Sequence, residues 1–421
     1  MKNRRAHLFT LFYSGVLEAG RLFILPLAAK MKAASAWNIT ERCDVPPLKK
    51  TSAGAMRVWI HAASLGESKL LAKFLNIHRK KYPGAEYVVT AATRTGVDYL
   101  WSLDSDDIVA VGFFPLDTIG LMKKMLRVFA ISRVWLMETE LWPSMMLACR
   151  QSDVPVGIVN ARMEEKSYAF YRRLKMLYGP ILGHLDVVMA QNEAYAARFE
   201  RLGVRPEVLH VIGNLKAVIS IHPPSPDRRR ALRRAMALGE NDFVLTAGCI
   251  HAGEGRILRE ALDTLRKRDV RLRCIVVPRY LDETDKLLKE LGPDTLRIDA
   301  TATSSPWEVC VVDKIGVLED MYAVASVSFI GGTFVAVGGH NVWDAAQFAV
   351  PILFGPDYHT QQESCELLLS SGAGFKVTSP EEFSQKIAAL RNTDASTFTA
   401  AFSAVAGVSR DRIARIEELI P

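Results

Sequence analysis

The sequence has no paired cysteines. Its six cysteines (Cys43, Cys149, Cys249, Cys274, Cys310 and Cys365) are scattered and never form a C-x-x-C. That argues against a disulfide framework and against a zinc site, and suits a reducing cytoplasm. The H-E-x-x-H, Walker and G-x-S-x-G patterns are missing, as is the G-x-G-x-x-G of a dinucleotide fold. No DNA- or RNA-binding motif, internal repeat or low-complexity tract is present. The apolar run from Leu8 to Leu17 is too short to span a bilayer, and Glu18 and Arg21 interrupt its continuation.

What is present is a chain of 421 residues, too long for one ordinary core, which points to two domains. With 49% apolar and 24% charged residues it reads as globular rather than disordered. The formal charge of +7 is concentrated at one end. Residues 1–50 hold nine Lys/Arg and three acids, a net of +6. A basic end beside an apolar segment suits an anionic membrane surface better than nucleic acid. On a helical wheel His7, Thr10, Ser14, Glu18 and Arg21 share one narrow stripe. The remaining surface carries Leu8, Phe9, Leu11, Phe12, Val16, Leu22 and Phe23. Such a helix would lie in the membrane interface or pack its polar stripe on protein. Residues 1–35 are therefore expected to form a monotopic anchor on the cytoplasmic face.

From residue 57 short β-rich runs alternate with helical stretches. Expected strands are Val58–Ala62, Tyr87–Ala92, Ile108–Phe113, Val134–Met137, Val156–Val159, Val187–Ala190 and Val208–Ile212. After the Pro-rich segment 222–227, read as a linker, come Phe243–Ala247, Arg273–Val277, Val309–Val312, Val327–Ile330 and Pro351–Phe354. The alternation predicts two α/β domains with parallel sheets, over 50–220 and 228–421. Ligands of such sheets bind beyond the carboxyl ends of the strands, so the residues after each strand are the candidates.

The segment 329–356 reads strand, glycine-rich loop, helix, strand. Its glycine pairs, Gly331-Gly332 and Gly338-Gly339, would let the backbone approach a ligand. His340 and Asn341 follow at an expected helix start, where backbone N–H groups attract anions. Asp344 could accept hydrogen bonds from sugar hydroxyls. This is the layout of a nucleotide-sugar pocket. After the first strand, His61-Ala-Ala-Ser-Leu-Gly-Glu67 puts Glu67 in a first helical turn, either as a dipole-complementing residue or as a general base. After the fourth comes Glu138-Thr-Glu-Leu-Trp-Pro143, with one carboxylate available to cap the next helix. Lys216 in Gly213-Asn-Leu-Lys216 is placed to meet an anionic substrate, and Pro278-Arg279 offers a guanidinium suited to phosphate. Thr246–Glu254 is a second candidate anion contact, and Asp313–Leu318 starts a helix near the expected base site.

Together, in order along residues 57 to 356, these segments resemble the 3-deoxy-D-manno-octulosonic acid (Kdo) transferases of Gram-negative bacteria. Asn160-Ala-Arg162, Gln191-Asn-Glu193 and Gly338–Asn341 belong to the same ordered set. The resemblance implies a GT-B architecture, two Rossmann-like domains facing a cleft, with an N-terminal membrane-associated helix. It implies inverting transfer of Kdo from CMP-Kdo to the lipid A precursor, lipid IVA, at the inner membrane, with anionic lipids as a further partner and no nucleic acid. By the same resemblance Glu67 is the catalytic base, and Glu138 and Lys216 stabilise the transition state. Pro278, Arg279, Ile315, Gly316, Val317, Asn341, Val342, Trp343 and Asp344 match CMP-binding positions. Gly338, Gly339 and His340 are candidate phosphate contacts. Neither a metal nor another cofactor is implied. Four departures stand out: Asp344 for the family's usual Glu, Gly255 for the second Glu of H-x-G-E-E, Arg94 for the proline of T-P-T-G, and a poorly kept segment around Thr40–Cys43. Two alternatives compete. One is a related GT-B transferase with another sugar or acceptor; the other is a non-catalytic, membrane-docked nucleotide-sugar-binding protein.

Overall fold

The computed structural model describes residues 2–20, 38–49, 51–218, 221–298, 303 and 307–421. The expected anchor residues 21–35, including Arg21, Leu22 and Phe23, lie outside the described residues. The chain forms two compact units. Met1–Lys216 joins Arg412–Pro421 in the first, and Ala217–Asp411 makes the second. The Pro-rich segment 222–227 lies in the second unit, where His222 N–H donates to the Gln347 carbonyl and Ser225 caps the helix Pro226–Ala235.

Each unit is built on a seven-stranded parallel sheet. The first contains β1 (Arg57–Ala62), β2 (Glu86–Ala91), β3 (Ile108–Phe113), β4 (Ile131–Met137), β5 (Val156–Ala161), β6 (Val187–Ala190) and β7 (Leu209–Val211), in the order β3-β2-β1-β4-β5-β6-β7. The second contains β8 (Val244–Ile250), β9 (Arg273–Pro278), β10 (Leu296–Ile298), β11 (Val309–Val312), β12 (Val327–Ile330), β13 (Ile352–Phe354) and β14 (Gly374–Lys376), in the order β10-β11-β9-β8-β12-β13-β14. Helices cover both faces, so central strands such as β2 and β5 are buried along their whole length. That burial is why consecutive apolar residues, Tyr87-Val88-Val89 in β2 and Ile158-Val159 in β5, replace an apolar/polar alternation. The second sheet shows the two-residue period: Leu245, Ala247, Cys274, Val276, Val309 and Val311 enter one apolar cluster, whereas Val244, Ile275, Val277, Cys310 and Val312 enter the other.

All twelve expected strands are present. The unexpected β10 and β14 are three-residue edge strands with half-exposed side chains, too short to leave an apolar run in the sequence. The strand order reverses between β1 and β4 in the first sheet and between β8 and β12 in the second. These two switch points open crevices at the carboxyl ends of the strands. Glu67 and Glu138 follow β1 and β4 at the first of them, and the glycine-rich loop follows β12 at the second.

The N-terminal helix Lys2–Ala19 packs its polar stripe on the first unit. Thr10 and Ser14 are buried, and the Ser14 hydroxyl accepts from the Ile119 N–H. Its apolar side chains Phe9, Leu11, Phe12 and Val16 stay exposed, Phe12 by 70%. None of the helices among the described residues is long and apolar enough to cross a membrane.

Candidate active site

In the first unit, Ser64 caps the helix Leu65–Lys81 and Glu67 stands in its first turn. The Glu67 carboxylate accepts from the Ala63 N–H at 2.8 Å and the Ser64 hydroxyl at 3.2 Å. Glu67 thus takes part in capping the helix: the Ser64 hydroxyl accepts its N–H, while its carboxylate reaches back to the Ala63 N–H just past the end of β1. Burial pushes its pKa up to about 7, partly opposed by the Ala63 N–H and reinforced by the charges of Glu138 and Glu140.

Glu138 follows β4 in a left-handed backbone conformation, φ 53°. Its Oε1 lies 3.2 Å from Lys216 Nζ and 3.5 Å from Asn160 Nδ2. Asn160, near the end of β5 where the pairing with β6 is irregular and also left-handed at φ 58°, accepts the Leu215 N–H through Oδ1 at 2.8 Å. One buried amide thereby ties the strand bearing Glu138 to the turn bearing Lys216. Non-glycine residues at positive φ are uncommon outside sites that over-determine them.

Glu140 does not cap the next helix. The Asp117 carboxylate does, accepting from the Ser144 and Met145 N–H groups at 2.9 and 2.8 Å. Glu140 instead turns toward His61, whose Nε2 is 3.4 Å from Oε2, and accepts the Trp142 indole N–H at 3.0 Å. Burial alone would raise the Glu140 carboxyl; the His61 edge and the Trp142 N–H more than offset it and hold it below the usual range.

The second unit corrects part of the sequence reading. The first turn of the glycine-rich loop is filled by protein. Glu254, fully buried, accepts the N–H groups of Gly332, Thr333, Phe334 and His251 at 2.8 to 3.1 Å. The N–H groups of Ala252 and Gly253 are taken by Glu283 and Glu290. The Thr246–Glu254 junction is therefore no anion contact, because three carboxylates of the same unit already occupy it. A side chain at Gly331 would strike the Cys249 carbonyl, and one at Gly338 would strike His359. These glycines make room for their own chain.

Nor does a full helix start at Asn341. The helix Trp343–Ala346 is a single turn, with little dipole to offer an anion. Asn341 is exposed, and its Nδ2 donates to Asp344 Oδ1 at 2.6 Å. The side chains of Val342 and Trp343 lie in the apolar core, leaving only their backbone for a ligand. Arg279 follows β9, its N–H bonded to the Ile250 carbonyl and its guanidinium over the Tyr280 ring. Ile315 is 83% exposed, Gly316 has φ 84°, and Val317 is buried at the start of the helix Leu318–Ala323. Asp313 is held by Arg297 and Thr284. Among the described residues no group of His, Cys, Asp and Glu could hold a metal ion.

Residues 37–219 match the family model described as 3-deoxy-D-manno-octulosonic-acid transferase (kdotransferase). A 3-deoxy-D-manno-octulosonic acid transferase of Chlamydia trachomatis serovar A is 30% identical over 324 residues, 76% of this chain and 74% of the relative. The chain belongs to the Kdo transferase family. It is a glycosyltransferase, and its fold is shared more widely. A glycosyltransferase from Rickettsia africae matches with a TM-score of 0.56 at 14% identity, over 87% of this chain and 99% of that one. A UDP-GlcNAc 2-epimerase from Neisseria meningitidis matches with the same score and identity, over 86% and 99%. These likenesses establish the GT-B fold of this Kdo transferase, with two Rossmann-like units.

In this Kdo transferase Glu67 and Glu138 follow the neighbouring strands β1 and β4 of the first unit, and Lys216, after the edge strand β7, reaches back to Glu138. In the second unit Arg279 follows β9, and His340, Asn341 and Asp344 follow β12. The sequence reading gave no role to the buried amide of Asn160, the His61–Glu140 contact or the buried carboxylate of Glu254. The signal available for them was position alone, since each lies within a few residues of a strand end.

Proposed function

We propose that this Kdo transferase moves Kdo from CMP-Kdo to lipid IVA with inversion, using Glu67 as general base. The observation that carries this reading is the Glu67 carboxyl, raised to about 7 and set beside the Glu138–Lys216 pair. A base poised near neutrality balances the ionised fraction against basicity. In the step, a hydroxyl oxygen of lipid IVA attacks the anomeric carbon of Kdo and its proton passes to Glu67. The bond from that carbon to the phosphate oxygen breaks, and CMP leaves with the electron pair. A single displacement inverts the anomeric centre. Lys216, oriented by Glu138, pairs with the carboxylate of the sugar, and the negative charge of Glu138 offsets the positive charge that develops on the oxocarbenium-like centre.

On the second unit, Pro278 and Arg279, the exposed turn Ile315–Val317 and the segment Asn341–Asp344 hold CMP. Arg279 takes charge developing on the phosphate, and Asp344 accepts sugar hydroxyls while oriented by Asn341. The step so written calls for no cofactor or metal beyond the donor. Residues 1–35 place the enzyme on the cytoplasmic face of the inner membrane. The exposed Phe9, Leu11, Phe12 and Val16 support this, because they leave an apolar face beside a strongly basic segment. Incubating the purified enzyme with CMP-Kdo and lipid IVA in detergent and weighing the lipid by mass spectrometry tests the reading. A Kdo-bearing lipid from the wild type and none from Glu67→Ala is expected. Full activity of a well-folded Glu67→Ala enzyme removes the base assignment.

A further inference from the structure

His251 and His340 meet end to end. Their Nε2 atoms are 2.7 Å apart, the rings are parallel within 8° and the centroids are 5.0 Å apart. That separation is what two imidazoles reach when nitrogen faces nitrogen in one plane, not when faces stack. One ring must donate and the other accept, because two Nε2–H groups cannot point at each other across this distance. Glu283 Oε2 lies 3.7 Å from His251 Nδ1 and favours a proton there, which leaves His251 Nε2 to accept and His340 Nε2–H to donate. Burial, reinforced by His251 and then Arg279, keeps His340 neutral, with its pKa pushed down to about 4.

The pair closes a structural circuit. The His251 N–H is held by Glu254, and the same carboxylate holds Gly332, Thr333 and Phe334 at the start of the glycine-rich loop. At the end of the loop Gly339 N–H bonds to Gly332 and His340 N–H to Gly331, while Thr360 holds the Gly338 and Gly339 carbonyls. The loop is thus tied to the β8 end twice, by a carboxylate at its beginning and by an imidazole pair at its end. Asn341 is the next residue after the second tie.

We propose that His251 and His340 are a proton-sharing positioning pair that sets Asn341 and Asp344 for the donor's nucleotide. His251 acts only through His340. The proposal rests on the reading of Asn341–Asp344 as CMP-binding.

The test is a double-mutant cycle on the full chain, read as KM for CMP-Kdo and kcat. His251→Ala and His340→Ala should each raise the donor KM about tenfold, within the range of coupled polar neighbours, with kcat changed by less than about threefold. The double variant should be no worse than either single one, and His251→Gln, whose amide still reaches His340, should recover most of the loss. Multiplying effects, or no recovery with Gln, overturns the pair. Long-range 15N spectra of the unliganded wild-type histidines give a second readout. One protonated and one bare Nε2 are expected, and two identical tautomers contradict the proposal. Arg279→Ala separates the failures. If it leaves the donor KM unchanged, the CMP-site reading has failed, whereas a raised KM with a null histidine cycle condemns only the pair.

Discussion

Lys216 Nζ stands 3.2 Å from Glu138 Oε1, and the buried amide of Asn160 donates to Glu138 and accepts the N–H of Leu215, the residue before Lys216. Lys216 is nearly half exposed and Glu138 far less so, at 46% and 13% of their side chains. The pair therefore contributes little to stability, as exposed ion pairs generally do. Its consequence is orientation, an ammonium aimed by a largely buried carboxylate.

Lys216→Ala should lower kcat by about 10²-fold, the usual effect of losing one preorganised polar partner of the reacting sugar, with the melting temperature almost unchanged. Glu138→Gln should lower kcat less, since the amide oxygen can still accept from Lys216. Steady-state kinetics beside a thermal melt checks both. A large drop in stability with kcat preserved would mean that the pair is structural.

Glu67 makes a signed prediction about pH. Its carboxyl titrates near 4.5 in the unfolded chain and near 7 in the folded one. Between those values the native state binds more protons, so this group's contribution falls as pH rises from about 4.5 to 7 and stays unfavourable above that. Glu67→Gln should therefore melt higher than wild type at pH 8 and no higher at pH 4.5. The reverse pattern in differential scanning calorimetry would contradict the raised pKa.

Glu254 is the hub of the glycine-rich loop. Glu254→Ala leaves three buried N–H groups and the part-buried one of Phe334 without their acceptor, each buried one costing about 1–3 kcal/mol when unsatisfied. Hydrogen exchange at Gly332, Thr333 and Phe334 should accelerate strongly while amides of the first sheet keep their protection. Unchanged exchange at these three residues would show that another group holds the loop.

Much of this was legible in the sequence. Parallel strands buried on both faces, such as β2 and β5, announce themselves by their apolar centres, and the rule that ligands gather at strand ends picks out Glu67, Glu138, Lys216 and Arg279 as candidates. Partners far apart in sequence were not legible. Asp117 caps a helix 26 residues later, at Pro143, and Glu254 occupies the turn that looked ready for a phosphate. A glycine-rich loop reads the same whether a ligand anion or a carboxylate of the same chain fills it. Only the fold brings Glu254 to Gly332, 78 residues away.

The exposed apolar face of the N-terminal helix makes a separate prediction. Replacing Phe9, Phe12 and Val16 by Ser should release the protein from anionic vesicles without unfolding it, since all three are at least half exposed. Flotation with phosphatidylglycerol vesicles reads the outcome. Undiminished binding would locate the membrane contact elsewhere.

The central claim is that the Glu67 carboxylate takes the acceptor proton. Its most direct test is the single-turnover rate of Kdo transfer from CMP-Kdo to lipid IVA, measured against pH for wild type and Glu67→Gln. The wild-type rate should rise with pH and level off above about 7, and Glu67→Gln should be slower by about 10²- to 10⁴-fold with that rise abolished. A Glu67→Gln enzyme that keeps the wild-type rate and the same pH dependence would contradict the account.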